Sequence, residues 1–565
     1  MRVLPVNPLG QPPPKFTQTA SPYYLKRDQL DLGHAIRFNG QMSSFSKISP
    51  LTGEVTGSYP IADADTVNRA VARARDVLPV WQKTSFAQRK KVLGHIAQGI
   101  KQQAEALTQS VNAETGKALH DALKADIVTA IGVFSYYGRV GERVLSEKRM
   151  PVDKSLMMGR VNVMRHAPKG VVGVISPWNY PVAIAASGIA TALMGGNTVV
   201  LKPSELTPEC GLQLVEIVRN ALKAEGLPED IVQVVTGDGS TGSALVNSDI
   251  NHMIFTGSSA VGQQIMQSLQ AQHKTASMEL GGNDPMLVLP GVSQKELDTI
   301  ASYALWGRFT NAGQACAAVK RLFVPENQLE KITALLTKKL PNIPNAPLIS
   351  ERQRDKLHQQ VTQSIAEGAQ LIAGGEAARQ PGYYYQPTIL VLPAGKNPKE
   401  ITATREETFG PVLSVIPYST VKDAVAMAND TEYGLTASVF GPNTAAQQVA
   451  RQLEAGTVVV NDTGAVNYSI PSVPWRGWKN SGPGVSHGPE ALLEVTNPQV
   501  ITSNKLRLLP GFNKMPWHFS RNESDTAEHD LSKALLDCYA TESWLEKLKP
   551  GLLKALLANR SSKKL

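Results

Sequence analysis

The sequence predicts an α/β fold built on buried parallel sheets, and three observations carry that prediction. From Gly170 to Leu201 the chain holds no Asp, Glu, Lys or Arg, as strands covered on both faces require. Pro177, Asn179 and Pro181 cut this run, and Gly195-Gly196-Asn197 cuts it again. What remains is strand (VVGVIS), loop, helix (PVAIAASGIATAL), turn and strand (NTVVLK), too interrupted to span a membrane. Alternation of strand, glycine turn and helix then continues through VVQVVTG and NHMIFTGSSAVGQQIM, and a second α/β half begins past Pro285.

The elements can be justified in order. At 565 residues the chain exceeds one ordinary domain, and two or three are expected. Residues 1–40 open with five prolines before Lys15 and lack the apolar core of a secretory signal, so they read as a Pro-rich arm. SFSKISPLTGEVTGSYPIA offers two short strands around Thr52-Gly53. Asp63 or Asp65 caps a helix whose Val67, Val71, Ala74 and Leu78 share a face. One further helix carries the stripe Val92, Ile96, Ile100, Leu107 and Val111, followed by a turn at Glu114-Thr115-Gly116-Lys117-Ala118. These stripes read as core. Met150 to Arg165 reads as a hairpin, and Ala424 to Val460 as helix, strand, helix, strand.

Composition bounds the function. An apolar fraction of 42% with 19% charged residues suits a globular protein with a sizeable core. Cys210, Cys316 and Cys538 are too scattered for a disulfide framework or metal-ligand spacing, so no metal is expected and a reducing, cytoplasmic compartment fits. A net charge of +9 suits an anionic partner, but no nucleic-acid-binding signature accompanies it, and nucleic acid is not expected as a partner. Past Leu506 a polar stretch precedes helical segments in which Trp544, Leu545, Leu548, Leu552 and Leu556 oppose several lysines. That tail reads either as packed against protein or as a peripheral membrane contact, and Pro550 breaks its stripe.

The stretch that can carry chemistry is FTNAGQACAAV, Phe309 to Val319. A cysteine among small residues is commonly an inert buried hydrophobe, and becomes a nucleophile as its thiolate, with help from a base, a helix dipole or a positive charge. Three further segments accompany it: ISPWNYPV, ASMELGGN and REETFGPV. Together, in this order and at this spacing, the four resemble the aldehyde dehydrogenase superfamily over roughly residues 45 to 505.

That resemblance implies a Rossmann-type cofactor domain (41–149 and 167–283), an α/β catalytic domain (284–489) and bridging strands (150–166 and 490–505), with 506–565 as an extension. It implies Cys316 as nucleophile, Asn179 with the Cys316 N–H as oxyanion donors, and Glu279 as the base that activates water. A carboxylate at Glu279 favours hydrolysis over transfer to coenzyme A. Cofactor contacts are implied at Ser176, Trp178, Lys202, Glu205, Gly239, Gly257, Ser258, Gly262, Leu280, Glu407 and Phe409. The Gly257…Gly262 spacing departs from G-x-G-x-x-G and alone is a weak signal, but a helix N-terminus there suits phosphates. Glu205 would repel a 2′-phosphate, so NAD is expected, with NADP as the alternative. Asn461 takes a family position near the mouth of the site.

Substrate contacts are implied at Tyr180, Ile184, Ser187 and Trp475, the last at the entrance. Ser187 is small where relatives carry a bulky aromatic, which implies a roomy tunnel and a bulky or long apolar aldehyde. Arg476 replaces a glycine. The alternatives are a semialdehyde-specific or acylating enzyme, or a catalytically silent NAD-binding relative. The hairpin implies a homo-oligomer, dimer or tetramer.

Overall fold

The structure, a computed structural model, describes residues 43–151, 160–505 and 533. The Pro-rich arm, the tip of the expected hairpin and nearly all of the C-terminal extension lie outside the described residues.

Strands Ser44–Ile48 and Val55–Pro60 pair antiparallel around a turn in which Gly53 takes φ 78°. Asp63, not Asp65, caps helix Ala64–Gln82 by accepting from Thr66 N–H. The expected second helix is two, Phe86–Gln102 and Ala104–Thr115, separated at Gln103. Each buries its own stripe, so the apolar period survives the break. Val92, Ile96, Ile100, Leu107 and Val111 are all fully buried.

A five-stranded parallel sheet follows, ordered Val232–Val234, Thr198–Lys202, Val171–Ile175, His252–Thr256, Thr275–Glu279. Helix Pro181–Met194 packs with every one of its 14 residues buried, which is why it carries no charge. Strand order reverses at Val171–Ile175. In such sheets ligands bind beyond the carboxyl ends of the strands at this reversal, and Ser176, Lys202, Gly257 and Glu279 all stand at those ends.

Glu279 ends the first sheet, and Asp284–Val288 begins the second after only four residues. The second sheet has seven strands with Asp284–Val288 inside it. Neighbouring Val319–Pro325, Val412–Tyr418, Thr436–Phe440 and Thr457–Val460 run parallel, and only edge strand Gln370–Ala373 is antiparallel. A separate three-stranded sheet pairs Arg160–Pro168 with Lys148–Met150 on one side and with Thr496–Asn504 along nine residues on the other.

Candidate active site

Cys316 stands on a turn between helix Gln294–Phe309 and strand Val319–Pro325. Three successive residues before it are left-handed: Asn311 (φ 54°), Ala312 (φ 52°) and Gly313 (φ 72°). For Ala this conformation costs on the order of 1–2 kcal/mol, so the surroundings must hold it. They do so through Gln314, whose side chain donates to Asn311 O (3.3 Å) and Pro347 O (3.2 Å) and accepts from Ile349 N (2.8 Å). Beneath the turn the buried Lys320 ammonium donates to the carbonyls of Ala315 (3.0 Å) and Cys316. The thiol is half-buried, and burial pushes its pKa up to about 12, opposed by the charge of Lys320.

Asn179 reaches this turn from the first sheet: its Nδ2 donates to Gln314 O at 3.2 Å. That bond takes one of the two amide hydrogens. The Asn179 carbonyl accepts from Lys117 Nζ (2.8 Å) and Asn311 Nδ2 (3.1 Å). Lys117 is in turn paired with Asp126 at 2.6 Å, with side chains 1% and 0% exposed. Asp126 Oδ1 accepts from Val182 N and Ala183 N, capping the helix that follows Asn179. Residues that read only as a turn therefore position the amide. In the same turn Glu114 accepts from Glu209 N and Cys210 N at the start of helix Pro208–Ala224.

Glu279 is buried. Its Oε1 accepts from Ser486 N at 3.3 Å, while Oε2 has no partner among the described residues. Burial holds its carboxyl well above the usual carboxylate range, offset in part by Ser486, Arg476 and Trp475. A cavity of about 20 Å³ adjoins it, lined by Ile184, Ser187, Thr191, Ser277, Tyr468 and Ser486 among others. That volume accommodates one water. Ile184 and Ser187 line this space together with Tyr468. One expectation is corrected here. Trp475 is 2% exposed and packs edge-on against Tyr468 at 5.3 Å, so it is an inner wall and not an entrance. Tyr180 lies against Lys117, whose ammonium sits 3.9 Å from its ring centre.

Trp178 and Phe409 meet edge-on at 5.4 Å. Glu407 accepts from Gly282 N (3.0 Å) and lies 3.7 Å from Lys320. Lys202 lies 3.7 Å from the half-exposed Glu205, and Ser176 N donates to Lys202 O. Exposed Ser258 caps helix Ser259–Ala271, its hydroxyl accepting from Val261 N. A Cβ on Gly262 would strike Leu280, and one on Gly257 would come within 2.5 Å of Phe255. Gly239 begins helix Gly239–Asn247 under the Asp238 cap. A helix N-terminus for phosphate, two carboxylates for ribose hydroxyls and an aromatic pair fit a dinucleotide. Asn461 binds Gly441 N and O through its side chain.

Sequence reasoning missed Lys117, Asp126, Asn311, Lys320, Tyr468 and Ser486 as parts of the site. Asn311 and Lys320 fall within a few residues of Cys316, and their small-residue or strand context carried no signal of their contacts.

Two sheets meeting at a thiol, an amide and a buried carboxylate, beside a dinucleotide cradle, define an α/β oxidoreductase architecture. The chain belongs to the aldehyde dehydrogenase family, oxidoreductases acting on aldehydes: the profile described as Aldehyde dehydrogenase family matches residues 38–501. A Mycolicibacterium smegmatis protein provisionally named succinate-semialdehyde dehydrogenase (NADP(+)) is 36% identical over 473 residues, 81% of this chain and 89% of that one. The 4,4'-diapolycopene aldehyde oxidase of Methylomonas sp is 31% identical, covering 86% of this chain and 90% of that one. Among solved structures, an NAD+ complex of an aldehyde dehydrogenase from Bacillus cereus superposes with TM-score 0.76 at 31% identity, over 82% of this chain and 93% of that one.

Proposed function

We propose that this protein oxidises an aldehyde to its carboxylic acid with NAD or NADP, through a covalent adduct on Cys316. The observation that carries this reading is the seating of Asn179 on the Cys316 turn, with Glu279 close enough to bias the thiol's titration. Lys202, Glu205, Ser258, Gly262, Glu407 and Phe409 would hold the dinucleotide, which supplies the hydride acceptor.

Cys316 Sγ gives up its proton to water and forms a bond to the aldehyde carbon, and the Asn179 Nδ2–H and Cys316 N–H hold the developing oxyanion. Once hydride has left that carbon, the acyl group remains as a thioester. Glu279, through the unpaired Oε2, takes a proton from water as the water oxygen attacks the acyl carbon. The C–S bond breaks, the acid leaves, and the sulfur regains a proton. Burial makes the Glu279 carboxyl a stronger proton acceptor than an ordinary carboxylate.

A long or bulky apolar aldehyde is favoured by the cluster of Ala317, Leu435, Trp475 and Tyr468 beside the thiol. The Methylomonas relative, named for an apolar aldehyde, supports it. The second reading is a semialdehyde bearing a distal carboxylate. It is favoured by exposed Arg476, close enough to influence Glu279, and by the Mycolicibacterium relative's name. The strands Arg160–Pro168 and Thr496–Asn504 support assembly into a homo-oligomer. No helix among the described residues is long and apolar enough to cross a membrane, and the scattered cysteines favour a reducing, cytoplasmic compartment.

Appearance of reduced cofactor from purified protein over hexanal, decanal and succinic semialdehyde, with NAD or NADP, tests the reading. Turnover in the wild type and none in Cys316→Ala is the expected result. A folded, NAD-binding protein inert toward every aldehyde would replace it with a binding role, and preference for succinic semialdehyde would select the second substrate reading.

A further inference from the structure

We propose that Lys320 is a positioning residue that clamps the nucleophile turn to the cofactor's ribose carboxylate and sets the reactivity of Cys316 according to how Glu407 is engaged. The proposal rests on reading Cys316 as nucleophile and Glu407 as a cofactor contact.

Lys320 is fully buried, the second residue of strand Val319–Pro325, all seven of whose residues are buried. A lysine in such a place requires partners for its charge and for three N–H donors. It has three. Nζ donates to Ala315 O at 3.0 Å, donates to Cys316 O, and lies 3.7 Å from Glu407 Oε1. Both carbonyls belong to the turn that presents the thiol, so the ammonium fixes the direction of the Cys316 peptide plane. Glu407 in turn accepts from Gly282 N at 3.0 Å, three residues beyond Glu279. A Cβ on Gly282 would lie 2.7 Å from Cys316 O, so the two turns touch there. One ammonium thus ties together the thiol turn, the ribose carboxylate and the turn that follows the base.

The charges facing this point are Lys320 and Arg308 as cations and Asp284, Glu407 and Glu279 as carboxylates. Asp284 is already satisfied by Thr436 Oγ1 (2.5 Å) and Thr436 N (3.3 Å). Arg308 donates to Thr408 and Gly410 carbonyls. Glu407 is the partner open to change, being 17% exposed and bound to one backbone N–H. Lys320 stabilises thiolate, and Glu407 opposes it. Whatever engages the Glu407 carboxylate therefore changes how much of the Lys320 field the sulfur receives.

The test is alkylation of Cys316 by iodoacetamide across pH, read as the rate of mass gain on the Cys316 peptide. Buried Cys210 is resolved by its own peptide. Without substrate, this readout is independent of turnover. In Lys320→Met the labelling curve is expected to move to higher pH by about one unit, roughly a tenfold slower rate at a fixed pH below the midpoint. In Glu407→Gln it is expected to move the other way. Lys320→Arg is expected to restore part of the Lys320→Met loss, and NAD affinity is expected to weaken in Lys320→Met.

Opposite shifts in the two variants support the clamp. Equal slowing in both, or rates that change with no movement along pH, would assign Lys320 a packing role and overturn the proposal. If Lys320→Met does not fold, Glu407→Gln decides alone: an unmoved or upward-shifted curve overturns it. Should Cys316→Ala retain turnover, the nucleophile reading fails separately, while the labelling curves still report on the clamp.

Discussion

The substitution Asp126→Asn tests how the amide of Asn179 is held. Asp126 and Lys117 form an ion pair at 2.6 Å with both side chains out of solvent. An Asn keeps an acceptor for Val182 N and Ala183 N but removes the charge, leaving the Lys117 ammonium buried without its counter-ion. Breaking such a pair from one side costs about 3–5 kcal/mol. Replacing both partners, as in Lys117→Met with Asp126→Leu, recovers much of that, so the pair is expected to couple by at least about 2 kcal/mol in a double-mutant cycle. Activity follows a separate line. Lys117 also donates to Asn179 O at 2.8 Å, and a donor displaced by about an ångström loses on the order of a hundredfold in kcat. Urea midpoints at constant slope give the first quantity, and kcat on the best aldehyde gives the second. A coupling below about 0.5 kcal/mol with unaltered kcat would refute the reasoning that this buried pair positions the oxyanion donor.

Other outcomes follow from single contacts. Gly313→Ala places a Cβ against the Gly410 carbonyl at φ 72°, and is expected to lower the urea midpoint and abolish Cys316 labelling at neutral pH; normal labelling would show that the turn yields. His487 is buried with no hydrogen-bond partner among the described residues for either ring nitrogen, and burial lowers its pKa to about 4. The unfolded chain takes up a proton below about pH 6.5 and the folded one does not. Stability relative to His487→Phe is therefore lost as pH falls from about 6.5 to 4, at up to about 1.4 kcal/mol per pH unit; a flat difference contradicts this. Arg476→Ala is expected to raise KM for succinic semialdehyde about tenfold and leave decanal unchanged if the distal-carboxylate reading holds; equal effects on both substrates would remove Arg476 from substrate choice.

Local physics made much of the fold legible. The Asp63 cap, the Gly53 turn and the charge-free helix Pro181–Met194 each leave a mark within a few residues. The break at Gln103 did not, since the apolar stripe continues across two helices. In the site, Cys316, Asn179 and Glu279 stood in recognisable segments. The groups that hold them stood apart: Lys117 reaches Asn179 across 62 positions, and Glu407 meets Lys320 from a distant strand connection. Buried polar contacts of this kind have no periodicity, and a lysine in an apolar strand reads as a misplaced surface residue until its partners are seen.

The most direct test of the central claim is to trap the acyl group. Glu279→Gln mixed with aldehyde and NAD, quenched in acid and digested, is expected to give one equivalent of reduced cofactor per site and an acyl mass on the Cys316 peptide, with little further turnover. Wild-type turnover in this variant with no acylated Cys316 would contradict the account.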